Sequence, residues 1–131
     1  MGRMGQQLIE SSRGNKNFKL ISLTESKIIN RKISGIKPTT NNIEAFKKTN
    51  VIIDFTVPKC TIEILQIALK LKKRVVIGTT GFSKKDETLI KKFARRIPIL
   101  KAGNMSLGVN LLMYLTEIAS KSLGRDFLSK I

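Results

Sequence analysis

The chain contains no histidine and only one cysteine, Cys60, among its 131 residues. Without histidine there is no Ser-His-Asp or Cys-His nucleophilic machinery within these residues. The common zinc sites are excluded as well, because one thiol and no imidazole cannot complete a tetrahedral shell. Proton chemistry near neutral pH would fall to a retuned carboxylate, lysine, cysteine or tyrosine, so the residue types favour binding over acid–base catalysis. A lone cysteine rules out an internal disulfide framework and suits a reducing compartment. No apolar run approaches the ~20 residues of a membrane-spanning helix, and no signal-peptide pattern opens the sequence. A cytoplasmic protein with no membrane partner is expected.

Acidic residues are scarce. Nine Asp and Glu stand against 25 Lys and Arg, a formal net charge of +16. Such an excess raises nucleic acid as a partner. The lysines are dispersed, however, with only short runs such as Lys70-Leu71-Lys72-Lys73-Arg74, and Phe and Tyr are not interleaved with them as a base-stacking surface requires. The abundance of Lys, Ile and Asn, residues of A/T-rich codons, also gives the bias a compositional cause. The charge is read as solvated faces, with no nucleic-acid partner expected; a basic nucleic-acid-binding module is the alternative.

What is there reads as alternating strands and helices in a chain of single-domain length. A helix is expected from about Met4 to Ser12, and a strand over Phe18–Thr24 from its alternating pattern. Residues 25–50 are polar, with Gly35, Pro38 and Asn41-Asn42 marking loops and a short helix over Glu44–Lys48. Val51–Phe55 has the compact apolar composition of a strand buried on both faces. Thr61–Lys73 carries one polar stripe, at Glu63, Gln66, Lys70 and Lys73, and is expected to be a largely buried helix. Arg74–Ile77 is the next strand. Ser83 and Asp86 have the spacing of a capping box before a helix that turns Leu89, Ile90, Phe93, Ala94 and Ile97 inward. Pro98–Lys101 is a further strand. Ser106 opens a last helix with Leu111, Leu112, Leu115, Ile118 and Ala119 on one face and a stop at Gly124. Strands and helices at this spacing imply βαβ units and a parallel sheet.

Four places on this layout could carry chemistry. Gly2-Arg3-Met4-Gly5 precedes a helix, as the tail of a phosphate-cradling turn would, or is simply a helix start. Glu25 follows the expected strand by the spacing at which a dinucleotide fold places an acid on the ribose, or is an ordinary loop glutamate. Gly78-Thr79-Thr80-Gly81-Phe82 and Ala102-Gly103-Asn104-Met105-Ser106 each follow a strand directly; either could line a ligand or form a structural turn and a helix cap. Asp54 and Phe55-Thr56 add a third strand end. Open α/β sheets bind ligands beyond the carboxyl ends of their strands, so several such signals on one rim reinforce one another.

Gly2–Gly5, Ile53-Asp54-Phe55-Thr56, Val76–Phe82 and Asn104-Met105-Ser106-Leu107-Gly108-Val109-Asn110, in this order, resemble the motifs of 4-hydroxy-tetrahydrodipicolinate reductase, also called dihydrodipicolinate reductase. The resemblance implies a cytoplasmic, homotetrameric, NAD(P)H-dependent reductase of bacterial lysine biosynthesis. It implies an α/β fold: a Rossmann-like parallel sheet with helices on both faces. Gly2, Arg3 and Met4 would lie at the pyrophosphate of NADPH or NADH, and Glu25 on the adenosine ribose. Ser26 falls where many members carry an arginine for the 2′-phosphate. Gly78, Thr79 and Thr80 would line the nicotinamide side, and Ala102, Gly103, Asn104 and Met105 would complete that wall.

Against the family pattern, residues 1–131 are expected to form a dinucleotide-binding domain lacking its first strand and first glycine. The absent strand is central in a Rossmann sheet, beside the strands at 18–24 and 51–55. The family's second domain, which supplies the substrate and tetramer contacts through a histidine pair, a lysine and a D-A-P-S-G-T stretch, has no counterpart in these residues. No catalytic residue and no metal ligand is assigned, and no reductase turnover is expected from this polypeptide; an inactive remnant is a further alternative.

Overall fold

The computed structural model describes residues 2–123. The chain divides into two units, Met1–Lys101 and Ala102–Ile131. The first unit carries α1 (Arg3–Ser12), α2 (Asn42–Lys47), β1 (Val51–Asp54), α3 (Pro58–Leu71), β2 (Arg74–Ile77), α4 (Lys84–Ala94) and β3 (Ile99–Lys101). The second carries α5 (Leu107–Leu123).

β1, β2 and β3 form a parallel three-stranded sheet in the order β1-β2-β3. The register runs Ile52–Val75–Ile99 and Ile53–Val76–Leu100 across the three strands. Because side chains alternate along a strand, these two rows face opposite ways. Right-handed crossovers place the helices following β1 and β2 on one side of the sheet, and α3 and α4 do pack together. On that side Ile52, Val75 and Ile77 meet Ile64, Leu65 and Ala68 of α3, with Phe46 of α2, Ile90 of α4 and Ile97 completing the core. Leu65 and Ala68 are fully buried. Truncating such a leucine to alanine typically costs about 2–5 kcal/mol.

The opposite row is open. Ile53 and Leu100 are 47% and 62% exposed, and Val51 is 42% exposed. The run at 51–55, expected to be buried on both faces, therefore buries one, with Ile52 and Asp54 inward. The α/β parallel-sheet fold is the one expected, but among the described residues of this unit the helical layer is developed on one face.

Local chemistry explains the helix boundaries. Asn41 caps α2 by accepting from Glu44 N–H at 3.1 Å. Pro58 sits in the first turn of α3, where its missing N–H removes no intrahelical bond. α3 stops at Lys72, which takes a left-handed conformation with φ 52°. Ser83 and Asp86 form the expected capping box of α4. α4 ends at Ala94; Ile90 is buried on it, Leu89 and Phe93 are half-buried and Ala94 is exposed, while Ile97 reaches the core from the turn beyond.

The strand expected over Phe18–Thr24 does not form. Thr24 makes an isolated parallel bridge to Thr39, through Glu25 N–H to Thr39 O at 3.0 Å and Thr39 N–H to Leu23 O at 2.9 Å. A strand persists only when a neighbour takes its alternate N–H and C=O groups along its length. Neither edge of the sheet receives this segment, so Phe18 and Ile21 remain 48% and 42% exposed.

In the second unit, Ser106 Oγ accepts from Val109 N–H at 3.4 Å, which starts α5 where expected. Its large apolar side chains are exposed, from Val109 at 44% to Leu107 at 85%. The expected stop at Gly124 lies outside the described residues.

Candidate functional site

Parallel pairing brings the carboxyl ends of β1 and β2 side by side. Asp54 stands opposite Ile77, and Gly78 N–H donates to Asp54 O at 2.8 Å, extending the ladder one residue beyond the strands. The loops that follow, Phe55-Thr56-Val57 and Gly78-Thr79-Thr80, therefore share one rim.

Asp54 organises that rim. It is 2% exposed. Its Oδ1 accepts from Thr56 N–H at 3.0 Å and Thr56 Oγ1 at 2.6 Å. Its Oδ2 accepts from Thr61 Oγ1 at 2.5 Å and Thr79 Oγ1 at 3.4 Å. Thr79 Oγ1 in turn accepts from Thr56 N–H at 2.9 Å. The Thr79 hydroxyl is thus spent inward and its side chain is 4% exposed, while Thr80 points to the surface. A ligand on this rim would meet the backbone at Gly78 and Thr79 and the side chain of Thr80.

Gly78 is required by its neighbour across the sheet. A β-carbon there would stand 2.1 Å from Phe55 Cε1 and 2.3 Å from Phe55 Cζ, so the ring occupies the space a side chain would need. Gly81, at φ 81°, turns the chain through the left-handed region with open space around it. Beyond the turn, Phe82 is braced by Lys101, whose Nζ lies 5.3 Å from the ring centroid and 2.7 Å from Glu87 Oε1. Ser83 then starts α4. Its hydroxyl, and after that its backbone N–H, hydrogen-bond Asp86 and hold that carboxyl below the usual aspartate range.

The remaining expected positions lie on other segments of the chain. Gly2 is the N-cap of α1 and makes no side-chain cap bond. A β-carbon on it would have nothing within 4 Å, and Arg3 and Met4, in the first turn of α1, are exposed. α1 makes no extensive packing contact with the strands. Glu25 is half-buried and tied by its backbone to Thr39; Ser26 is exposed. Ala102, Gly103, Asn104 and Met105 belong to the second unit. There Asn104 Oδ1 accepts from Ser106 N–H at 2.9 Å, and an amide so placed can still offer its Nδ2 hydrogens and a second Oδ1 lone pair to a ligand.

Residue types at strand ends did not single out Thr61 or the inward turn of Thr79. The Asp54-x-Thr56 spacing, an acceptor two residues before a donor, was the available signal for an Asx-type turn. Among the described residues there is no cluster of three or more His, Cys, Asp or Glu that could hold a metal, and no helix is long and apolar enough to cross a membrane.

The family profile described as "Dihydrodipicolinate reductase, N-terminus" matches residues 1–105. The chain belongs to the dihydrodipicolinate reductase family. Relatives named 4-hydroxy-tetrahydrodipicolinate reductase agree along its length. That of Pelagibacter ubique is 72% identical over 131 residues, covering 100% of this chain and 51% of the relative. That of Dinoroseobacter shibae is 37% identical over 137 residues, covering 96% of this chain and 51% of the relative. The chain spans about half the length of the curated relatives it matches. The solved structure described as dipicolinate-bound dihydrodipicolinate reductase from Paenisporosarcina sp. TG-14 superimposes with a TM-score of 0.74, over 90% of this chain and 49% of that one, at 24% identity, and so shares the fold.

Proposed function

We propose that this chain is the cofactor-binding part of a 4-hydroxy-tetrahydrodipicolinate reductase, with NADPH or NADH as its ligand. The observation that carries the reading is the 72% identity over all 131 residues to a protein of that name, on a chain whose adjacent strand ends form a polar, glycine-bearing rim. The reaction served would be reduction of 4-hydroxy-tetrahydrodipicolinate in lysine biosynthesis, in the cytoplasm, with the family's homotetramer built from contacts outside these residues.

The donor set fits a dinucleotide. The α1 N-terminus offers first-turn N–H groups, positive helix potential and the Arg3 guanidinium to a pyrophosphate, and a β-carbon on Gly2 would meet nothing within 4 Å. Glu25 has the acceptors a ribose diol needs. Gly78, Thr79 and Thr80 present backbone and hydroxyl groups beyond the strand end, and Asn104 presents an amide to a carboxamide. When bound, the dinucleotide supplies the hydride; these residues hold and orient it, the part of catalysis that positioning contributes. The 131 residues hold no histidine to donate a proton.

The test is a fluorescence titration of the purified chain with NADPH and NADH, followed by an absorbance assay with substrate added. Saturable binding of at least one dinucleotide with no substrate-dependent oxidation is expected. A folded chain that binds neither would overturn the reading.

A further inference from the structure

We infer that Asp54 is a positioning residue for the dinucleotide: its buried carboxylate fixes where the two rim loops stand. The inference rests on the reading of that rim as the cofactor site. Burying a carboxylate without a counter-cation is costly unless hydrogen bonds replace its hydration. None of the ion pairs among the described residues involves Asp54. Its compensation comes from hydroxyl and amide groups on three separate segments: Thr56 in the loop after β1, Thr61 in α3 and Thr79 in the loop after β2.

That distribution has a mechanical consequence. The Thr56 N–H is shared between Asp54 Oδ1 at 3.0 Å and Thr79 Oγ1 at 2.9 Å, so the two rim loops are bonded to each other and to the same carboxylate. Thr61, fully buried in the first turns of α3, anchors the carboxylate from below. Neighbouring side chains then diverge. Thr79 turns in to Asp54, which obliges Thr80 to turn out, and the Gly78–Thr80 backbone is held against the Phe55–Thr56 loop. Asp54 touches no ligand; it acts through the loops that do. Networks of this kind restrict the rim to one arrangement, and preorganisation lowers the ordering cost of binding.

Two substitutions loosen the network while keeping its volume. In Asp54→Asn the two hydroxyls facing Oδ2 must reverse and accept from an amide instead of donating to an oxygen. In Thr79→Val the hydroxyl linking the loops is lost. Each is expected to weaken NADPH binding by roughly tenfold, the loss of one charge-assisted hydrogen bond.

The experiment is an NADPH fluorescence titration of the 131-residue chain and its variants, at a temperature where circular dichroism shows each to be folded. Thr79→Ser, which keeps the hydroxyl, is expected to restore affinity to near that of the unaltered chain. Ile90→Val, a core truncation on α4, is expected to lower the melting temperature with the dissociation constant unchanged. If Asp54→Asn does not fold, the Thr79→Val and Thr79→Ser pair decides. Unaltered affinity in a folded Thr79→Val, or an equal loss in Ile90→Val, would overturn the positioning role while leaving the cofactor site standing. Failure of the unaltered chain to bind would remove the site, and this inference with it.

Discussion

Gly78 passes beneath the ring of Phe55, and that contact gives the sharpest expectation about a single residue. A methyl group there would collide with Cε1 at 2.1 Å, so Gly78→Ala should destabilise the chain by about 1–3 kcal/mol, the usual cost of overpacking. The same substitution in a Phe55→Ala background should cost little, because the colliding atoms are gone. A double-mutant cycle by urea denaturation measures the difference; an equal cost in both backgrounds would show that Phe55 is not what requires the glycine. The sequence marked Gly78 as special, as a residue permitting close approach of a backbone. Residue type alone does not say whose atoms approach, and here a side chain of the same chain does so. The same limit applies to Thr79. Its hydroxyl was legible as a polar group at a strand end, but which way it turns depends on Asp54, on another strand.

At the scale of elements, legibility followed the range of the interactions. The Ser83–Asp86 box and the Ser106 cap rest on neighbours within three residues, and the structure holds both; Asn41, read only as a loop marker, caps α2 by the same short-range geometry. β1, β2 and β3 were visible because apolar runs between helices have few other uses in an α/β chain. The segment at 18–24 has an equally strand-like pattern, but a strand is completed by a partner, which no local pattern guarantees. The end of α3 was placed two residues late, because the left-handed residue is Lys72 where glycine or asparagine would have announced it.

The α4 cap also yields a pH prediction. Asp86 is held below its ordinary value of 3.8, first by the Ser83 hydroxyl and then by the Ser83 backbone. A carboxyl depressed in the folded state contributes its stability in full above the unfolded pKa and loses it as pH falls through the folded one. The melting-temperature gap between the unaltered chain and Asp86→Ala should therefore stay constant from neutrality down to about pH 5 and narrow below about pH 4. A gap that widened on acidification would contradict the capping assignment.

For the molecule as a whole, the formal charge of +16 and the family fold pull in different directions. Binding to nucleic acid through dispersed lysines would weaken steeply with salt and involve many faces. Binding of a dinucleotide involves a few loops. Because residues at several chain positions are implicated, the most direct test is a residue-by-residue map of NADPH binding by amide chemical shifts of the labelled 131-residue chain. The account predicts saturable shifts concentrated at Arg3–Gly5, Phe55–Thr56, Gly78–Thr80 and Gly103–Met105. Shifts absent at saturating NADPH, or scattered over the lysine-bearing surfaces of α3 and α4 with those loops unmoved, would contradict it.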